Sequence, residues 1–431
     1  MAERQYKRYP PRVPRTRPGA KCDKMCEHNS HNPKEGNFTM QTEEKHRVLK
    51  QLLSHFEAKT TSDAGGIRRN PVDVYTCPEL AKRERQVFFR DTPLLVGLSS
   101  ELTRPGAYRA STELGIPILM VRDGDGVFRA FLNVCRHRGA QVVKDGYGYS
   151  DRFYCPFHAW GYDTQGHLVS LPHGNHFGKI DRSCHGLTPL PTAEKYCMLW
   201  LRPTPGEGID VDAQLGELAP EMAAWELERH RFVGSQPLVA NINWKLAVDT
   251  FGENYHFDFL HRNTLAEFIH GNLQTSDHYG RNYRMVFATK NIEQLPDLPQ
   301  DKWDFRRMAL TVYFIYPNVI AVVGQFYFDL FRIVPDLDNP TKSVTYQSSY
   351  LDPNNPPLGP VFGDIQSRTA RVNAVLRDED YATAETCQRG ALSGAQTHVI
   401  FGRNEPALRH YHNTFREALG LKLLPLEARD V

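Results

Sequence analysis

Long apolar runs are missing from these 431 residues. No stretch approaches the roughly 20 apolar residues a membrane-spanning helix needs, and the N-terminus is basic and proline-rich where a secretory leader would be apolar. Excess charge of one sign is missing too. With 52 Lys and Arg against 50 Asp and Glu, neither nucleic acid nor an anionic membrane is an implied partner. The eight cysteines give no disulfide framework, because Cys22, Cys26, Cys77, Cys184, Cys197 and Cys387 show no even, close spacing. That usage fits a reducing cytoplasm. No glycine-rich dinucleotide fingerprint is found, so the sequence offers no such site for a nicotinamide or flavin. What remains is length enough for two domains, each with its own core.

The remaining two cysteines lie in the stretch 135–158, "CRHRGAQVVKDGYGYSDRFYCPFH". It reads Cys135-x-His137, seventeen residues, then Cys155-x-x-His158. Each loop supplies one thiolate and one imidazole, which suits a [2Fe–2S] cluster of the Rieske type, with both cysteines on one iron and both histidines on the other. A structural zinc site accepts the same ligands, but zinc fingers group their cysteines apart from their histidines. Trp160, two residues past His158, reads as a core aromatic and as a shield that excludes water from the cluster.

Residues 1–40 hold nine Lys/Arg, four Asp/Glu and five prolines with little apolar patterning, so 1–42 is expected to be a disordered basic tail. Cys22, Cys26, His28 and His31 within it could ligate a metal, and Met40 is an alternative start. Residues 43–90 are expected to be helical and to pack on the C-terminal domain, 204–431. Val48, Leu49, Leu52, Leu53 and Phe56 make one apolar face, and a second helix follows Pro78. Short strands with glycine turns fill 91–203; Asp-Gly-Asp-Gly at 123–126 signals a hairpin. A Pro/Gly-rich junction near 201–210 separates this region from 204–431. There a helical stretch, "NWKLAVDTFGENYHFDFLH", precedes several β-branched and aromatic strands, and 364–418 returns to helix. An α+β layout, a sheet gripped by helices, follows.

Asp249, Glu253 and His256 are spaced four and three apart, on one face of that helix. His261 falls about 140° further around an ideal helix. Both imidazoles can meet one metal only if the helix ends or distorts between them. "LRDEDYATAETCQRG" offers Asp378, Glu379, Asp380 and Glu385 as the third ligand of a facial triad, the arrangement non-haem Fe(II) oxygenases use.

With "CRHRGA…CPFHAWGY" and "NWKLAVDTFGENYHFDFLH" in this order, residues 45–431 resemble the α-subunit of a Rieske non-haem iron oxygenase, the aromatic-ring-hydroxylating family. The resemblance implies a β-sandwich-like Rieske domain (91–203) and a helix-grip, START-like catalytic domain (204–431) with a large antiparallel sheet. Cys135, His137, Cys155 and His158 would hold the cluster. His256, His261 and Asp380 would hold a mononuclear Fe(II) that uses O2, with Asp378 the alternative carboxylate. Most of the family has aspartate where this chain has Glu253, which would bridge His256 to His158 of a neighbouring subunit. Branches acting on quaternary ammonium compounds also use glutamate there. Asp249 stands where many relatives carry asparagine near the iron.

The implied activity is hydroxylation of an aromatic substrate, carboxylated or not, by a terminal oxygenase fed by a ferredoxin or flavin reductase and ultimately NAD(P)H. The implied assembly is a head-to-tail homotrimer, with or without a β-subunit. The alternatives are a monooxygenase or N-demethylase of quaternary ammonium compounds and, in another class, a Rieske electron carrier or a non-catalytic binding protein. Phe268, Tyr279, Tyr283, Phe287 and Phe362 are expected to shape the substrate cavity, with Arg281 and Arg284 available to a carboxylate.

Overall fold

The computed structural model describes residues 40–324, 327–353 and 365–427. The basic tail, with Cys22, Cys26, His28 and His31, lies outside the described residues, as does Phe362. The hydrophobic pattern of the second half builds one seven-stranded antiparallel sheet. Its strands run in the order Arg231–Ala240, Ser343–Leu351, Tyr327–Pro335, Val319–Val323, Ala309–Ile315, Asn282–Thr289 and Ile269–Tyr279. Successive side chains point to opposite faces, and here both faces are apolar. Met285, Phe287, Val312, Phe314 and Ile333 join one core cluster; Val286, Ala288, Tyr313 and Ile315 join the other.

The first face is gripped by the helix Pro406–Ala418, whose Leu408, Tyr411 and Phe415 recur at helical spacing. Tyr411 meets Phe314 at 4.4 Å between ring centres, and Phe415 meets Trp244 at 4.9 Å. The second face is covered by the helix Met40–Ala58 through Val48, Leu49 and Leu52. Buried Arg284 ties that helix to the sheet by pairing with Glu44, with Asp277 (2.6 Å) and with Glu221 (2.8 Å). Arg284 is therefore spent on these structural ion pairs. The 43–90 stretch also contributes a strand, Arg68–Pro71, which pairs with His398–Phe401 and which helical patterning alone did not show.

The stretch between contains two three-stranded sheets and one of five strands. Leu94–Leu98 pairs with Met198–Leu201, so its two ends close on each other. The hairpin Ile118–Arg122/Phe128–Leu132 forms as its turn residues require: Asp123 Oδ1 accepts the amides of Asp125 and Val127 (3.0 and 2.8 Å). This region is fastened to the large sheet by buried charge. Arg109 bonds Glu113 at 2.6 Å, Glu113 also pairs with Arg332, and Glu101 accepts from Tyr350.

Candidate metal centres

Cys135 and Cys155 open two loops of the same design. In each, the cysteine N–H bonds a carbonyl five residues on, and its own carbonyl accepts the N–H four residues on: Cys135 with Ala140 and Gly139, Cys155 with Trp160 and Ala159. The fourth residue is left-handed in both, at φ +77° for Gly139 and +56° for Ala159. Both thiols are buried, and burial pushes the Cys155 thiol up. His137 and His158 bring their Nδ1 atoms to 3.1 Å. Trp160 is buried beneath them, stacked on His137 at 4.9 Å and 9°. Tyr162 accepts the Arg136 N–H at 2.9 Å and lies 3.3 Å from Cys135 Sγ. Two thiols and two like imidazole nitrogens thus converge between the loops.

The helix expected over the second motif is short. It runs only Trp244–Asp249, opened by the Asn243 side chain on Lys245 N (2.9 Å). Thr250 Oγ1 turns back onto the Ala247 carbonyl (2.9 Å), and a Cβ at Gly252 would run into Leu408 Cδ2. Asn254 then bonds the carbonyl of His270 at 3.0 Å, and a single 3-10 turn follows, Tyr255–Asp258. Asp249, Glu253 and His256 therefore do not share a helix face. Asp249 is drawn elsewhere: it accepts from Tyr75 OH (2.6 Å) and lies 3.0 Å from His412 Nε2. It tethers the helix end and does not join the histidines.

The same break sets His256 beside His261, with ring centres 4.9 Å apart. Asp380 reaches both from the Leu376–Tyr381 π-turn of a helix running 365–392; such turns recur at functional sites. Its Oδ1 is 3.4 Å from His256 Nε2 and 3.2 Å from His261 Nε2. The other carboxylates go elsewhere. Asp378 pairs with Arg377 in solvent, Glu385 accepts the Asn241 amide, and Glu379 takes His261 Nδ1 at 2.7 Å. Glu253 takes His256 Nδ1 and accepts the His256 N–H at 3.1 Å. Burial pushes the His256 imidazole down, but Asp380 and Glu253 outweigh it and lift it to about 9. Burial pushes Asp380 up, and the two histidines more than reverse this. His256 Nε2 is buried without a hydrogen-bond partner, and one ligand atom from each of His256, His261 and Asp380 lies within 4.8 Å of the others. Two imidazole nitrogens and a carboxylate closing on one point fit an Fe(II) ion, which would displace the protons the imidazoles hold without it.

Among the expected cavity residues, Phe287 meets Phe257 at 5.7 Å, next to His261. Tyr283 packs on His410, Tyr279 reaches Glu221 at 3.3 Å, and Arg281 covers Tyr316. The role of Glu379 escaped the sequence reading, since no pattern in "LRDEDYA" announces a π-turn.

Residues 92–187 match the family model of the Rieske [2Fe-2S] domain, and 221–421 that of the ring-hydroxylating alpha subunit catalytic domain. The chain carries both domain types of a ring-hydroxylating oxygenase alpha subunit. Its two domain types imply a [2Fe–2S] cluster and a mononuclear iron. The chain is 29% identical over 200 residues to the glycine betaine monooxygenase oxygenase subunit of Chromohalobacter salexigens, covering 46% of this chain and 44% of that one. It is 30% identical over 207 residues to the benzene 1,2-dioxygenase subunit alpha of Pseudomonas putida, at 46% and 45% coverage. The chain thus spans about half the length of these relatives. In fold it is similar to a solved quaternary ammonium Rieske monooxygenase, with a TM-score of 0.71 at 19% identity, over 83% of this chain and 97% of that one. No helix among the described residues is long and apolar enough to cross a membrane.

Proposed function

We propose that this chain is the terminal oxygenase component of a multicomponent system that hydroxylates an aromatic substrate, in the cytoplasm, with electrons from an external ferredoxin or flavin reductase. The observation that carries the reading is the convergence of His256, His261 and Asp380 in a chain that also carries the Cys135/His137/Cys155/His158 set. When bound, the cluster supplies one-electron transfer and the mononuclear iron supplies O2 activation. Glu253 accepts the Nδ1 proton of His256, which leaves Nε2 free to ligate. Phe257, beside His261 and packed on Phe287 at 5.7 Å, brings aromatic rings next to these histidines. A head-to-tail trimer would set exposed His158 of one copy against Glu253 of the next. Exposed aromatics flank both: Phe157 beside the first, Tyr255 and Phe259 beside the second.

A second reading, monooxygenation of a quaternary ammonium compound, draws on Glu253 in place of aspartate and on the glycine betaine relative. Product analysis under labelled O2, with a surrogate reductase and a panel of aromatic acids and quaternary amines, separates the two. We expect labelled product from the wild type. His256→Ala should keep the cluster's visible spectrum and form none; product formation by that variant would place the iron elsewhere. Glu253→Gln should retain both metals and slow cluster oxidation on adding O2 and substrate, whereas a wild-type rate would remove its bridging role.

A further inference from the structure

Asp380 has a neighbour that the ligand set leaves unused. Glu379 precedes it in the π-turn, with Oε2 at 2.7 Å from His261 Nδ1 and accepting Thr264 Oγ1 at 2.9 Å. Consecutive side chains of a regular α-helix diverge by about 100°, which would carry one of two adjacent carboxylates away from a shared imidazole. In the wider turn Leu376–Tyr381 they close on opposite nitrogens of His261: Asp380 on Nε2 at 3.2 Å, Glu379 on Nδ1. The two nitrogens of an imidazole point away from each other, so Glu379 cannot reach the point where His256, His261 and Asp380 meet. It is excluded as a ligand by the contact it makes. His261 is 1% exposed, so without Glu379 its Nδ1–H would be buried and unpaired.

We propose that Glu379 is a positioning residue for His261. It keeps the proton on Nδ1 and so presents Nε2 to the metal, and through Thr264 it ties the histidine loop to the helix that carries Asp380. The two histidines are then oriented from different sources. Glu253 serves His256 from within the same loop, while Glu379 serves His261 from the turn that also supplies the carboxylate ligand. One turn sets both a ligand and the orientation of its partner. A carboxylate on the far nitrogen of a ligating histidine fixes its tautomer and raises its basicity. The inference rests on the iron-site reading of His256, His261 and Asp380.

The test is Fe(II) affinity, measured anaerobically by competition with a chromophoric chelator on full-length protein that keeps its cluster. Glu379→Ala should weaken Fe(II) binding about 10–100-fold with the cluster's visible spectrum unchanged. Glu379→Gln should recover most of the loss, because its amide oxygen still accepts the Nδ1–H bond at the same reach. Glu379→Asn, one methylene shorter, should behave like the alanine variant and keeps the test available if that variant does not fold. Wild-type affinity in Glu379→Ala, or equal affinity in the Asn and Gln variants, would overturn the proposal. His261→Ala is the control: if it binds Fe(II) as the wild type does, the iron-site reading fails and not the role of Glu379.

Discussion

A single hydroxyl sits where it can tune the cluster. The Arg136 amide donates to Tyr162 Oη, which leaves the phenol proton to point at Cys135 Sγ, 3.3 Å away. A donor at a ligating sulfur favours the more negative, reduced state of the cluster and so raises its potential. Removing a bond worth about 0.5–1.5 kcal/mol corresponds to about 20–60 mV for one electron. Tyr162→Phe should therefore lower the midpoint potential by up to that amount while leaving the visible bands in place, as a redox titration would show. An unchanged potential would mean that the phenol proton points elsewhere. At this scale the sequence was informative wherever the candidate ligands are local. Cys135 to His158 is one short stretch, and His256 and His261 are five residues apart. Glu379 was legible only as one carboxylate among four, because its role depends on which imidazole nitrogen it meets across the fold.

At the scale of elements, the two cluster loops share one backbone path but fill its left-handed position differently. Glycine adopts φ +77° at residue 139 without a Cβ penalty, whereas Ala159 holds φ +56° with one. Ala159→Gly should then stabilise the folded protein by about 1 kcal/mol, and Gly139→Ala should destabilise it by at least as much. Thermal unfolding followed at the cluster's visible absorbance gives both; a less stable Ala159→Gly variant would show that the loop tolerates the alanine freely. The hairpin at Asp123–Val127 and the apolar face of Met40–Ala58 could be read ahead of the fold because turn chemistry and 3.6-residue periodicity are local signals. The end of the helix after Asp249 could not. It depends on Gly252 lying against Leu408 and on Asn254 capturing the His270 carbonyl, and both partners are distant in sequence. The Leu376–Tyr381 π-turn was hidden for the same reason.

For the molecule as a whole, the large sheet is buried on both faces, and its inner grip depends on the helix Pro406–Ala418 staying seated. His410 on that helix packs on Tyr283 at 4.8 Å and lies 3.3 Å from the Arg281 carbonyl, near His278 and Arg409. Burial, with smaller contributions from His278 and Arg409, pushes its imidazole down to about 4, against an ordinary value of about 6.5. The folded state thus holds His410 neutral where the unfolded chain would protonate it. The unfolded state binds more protons between these two values, so stability rises with pH across that window and is lost as pH falls from about 6.5 towards 4. The part of this loss falling between pH 7 and 5 is about 2 kcal/mol. His410→Gln, which can still donate to the Arg281 carbonyl but carries no titrating group, should unfold with correspondingly less acid sensitivity over that range. Parallel denaturation curves at pH 7 and 5 for both proteins measure the difference directly. Equal acid losses in the two would show that the helix loosens around His410 before it titrates, and that the acid limb belongs to other groups.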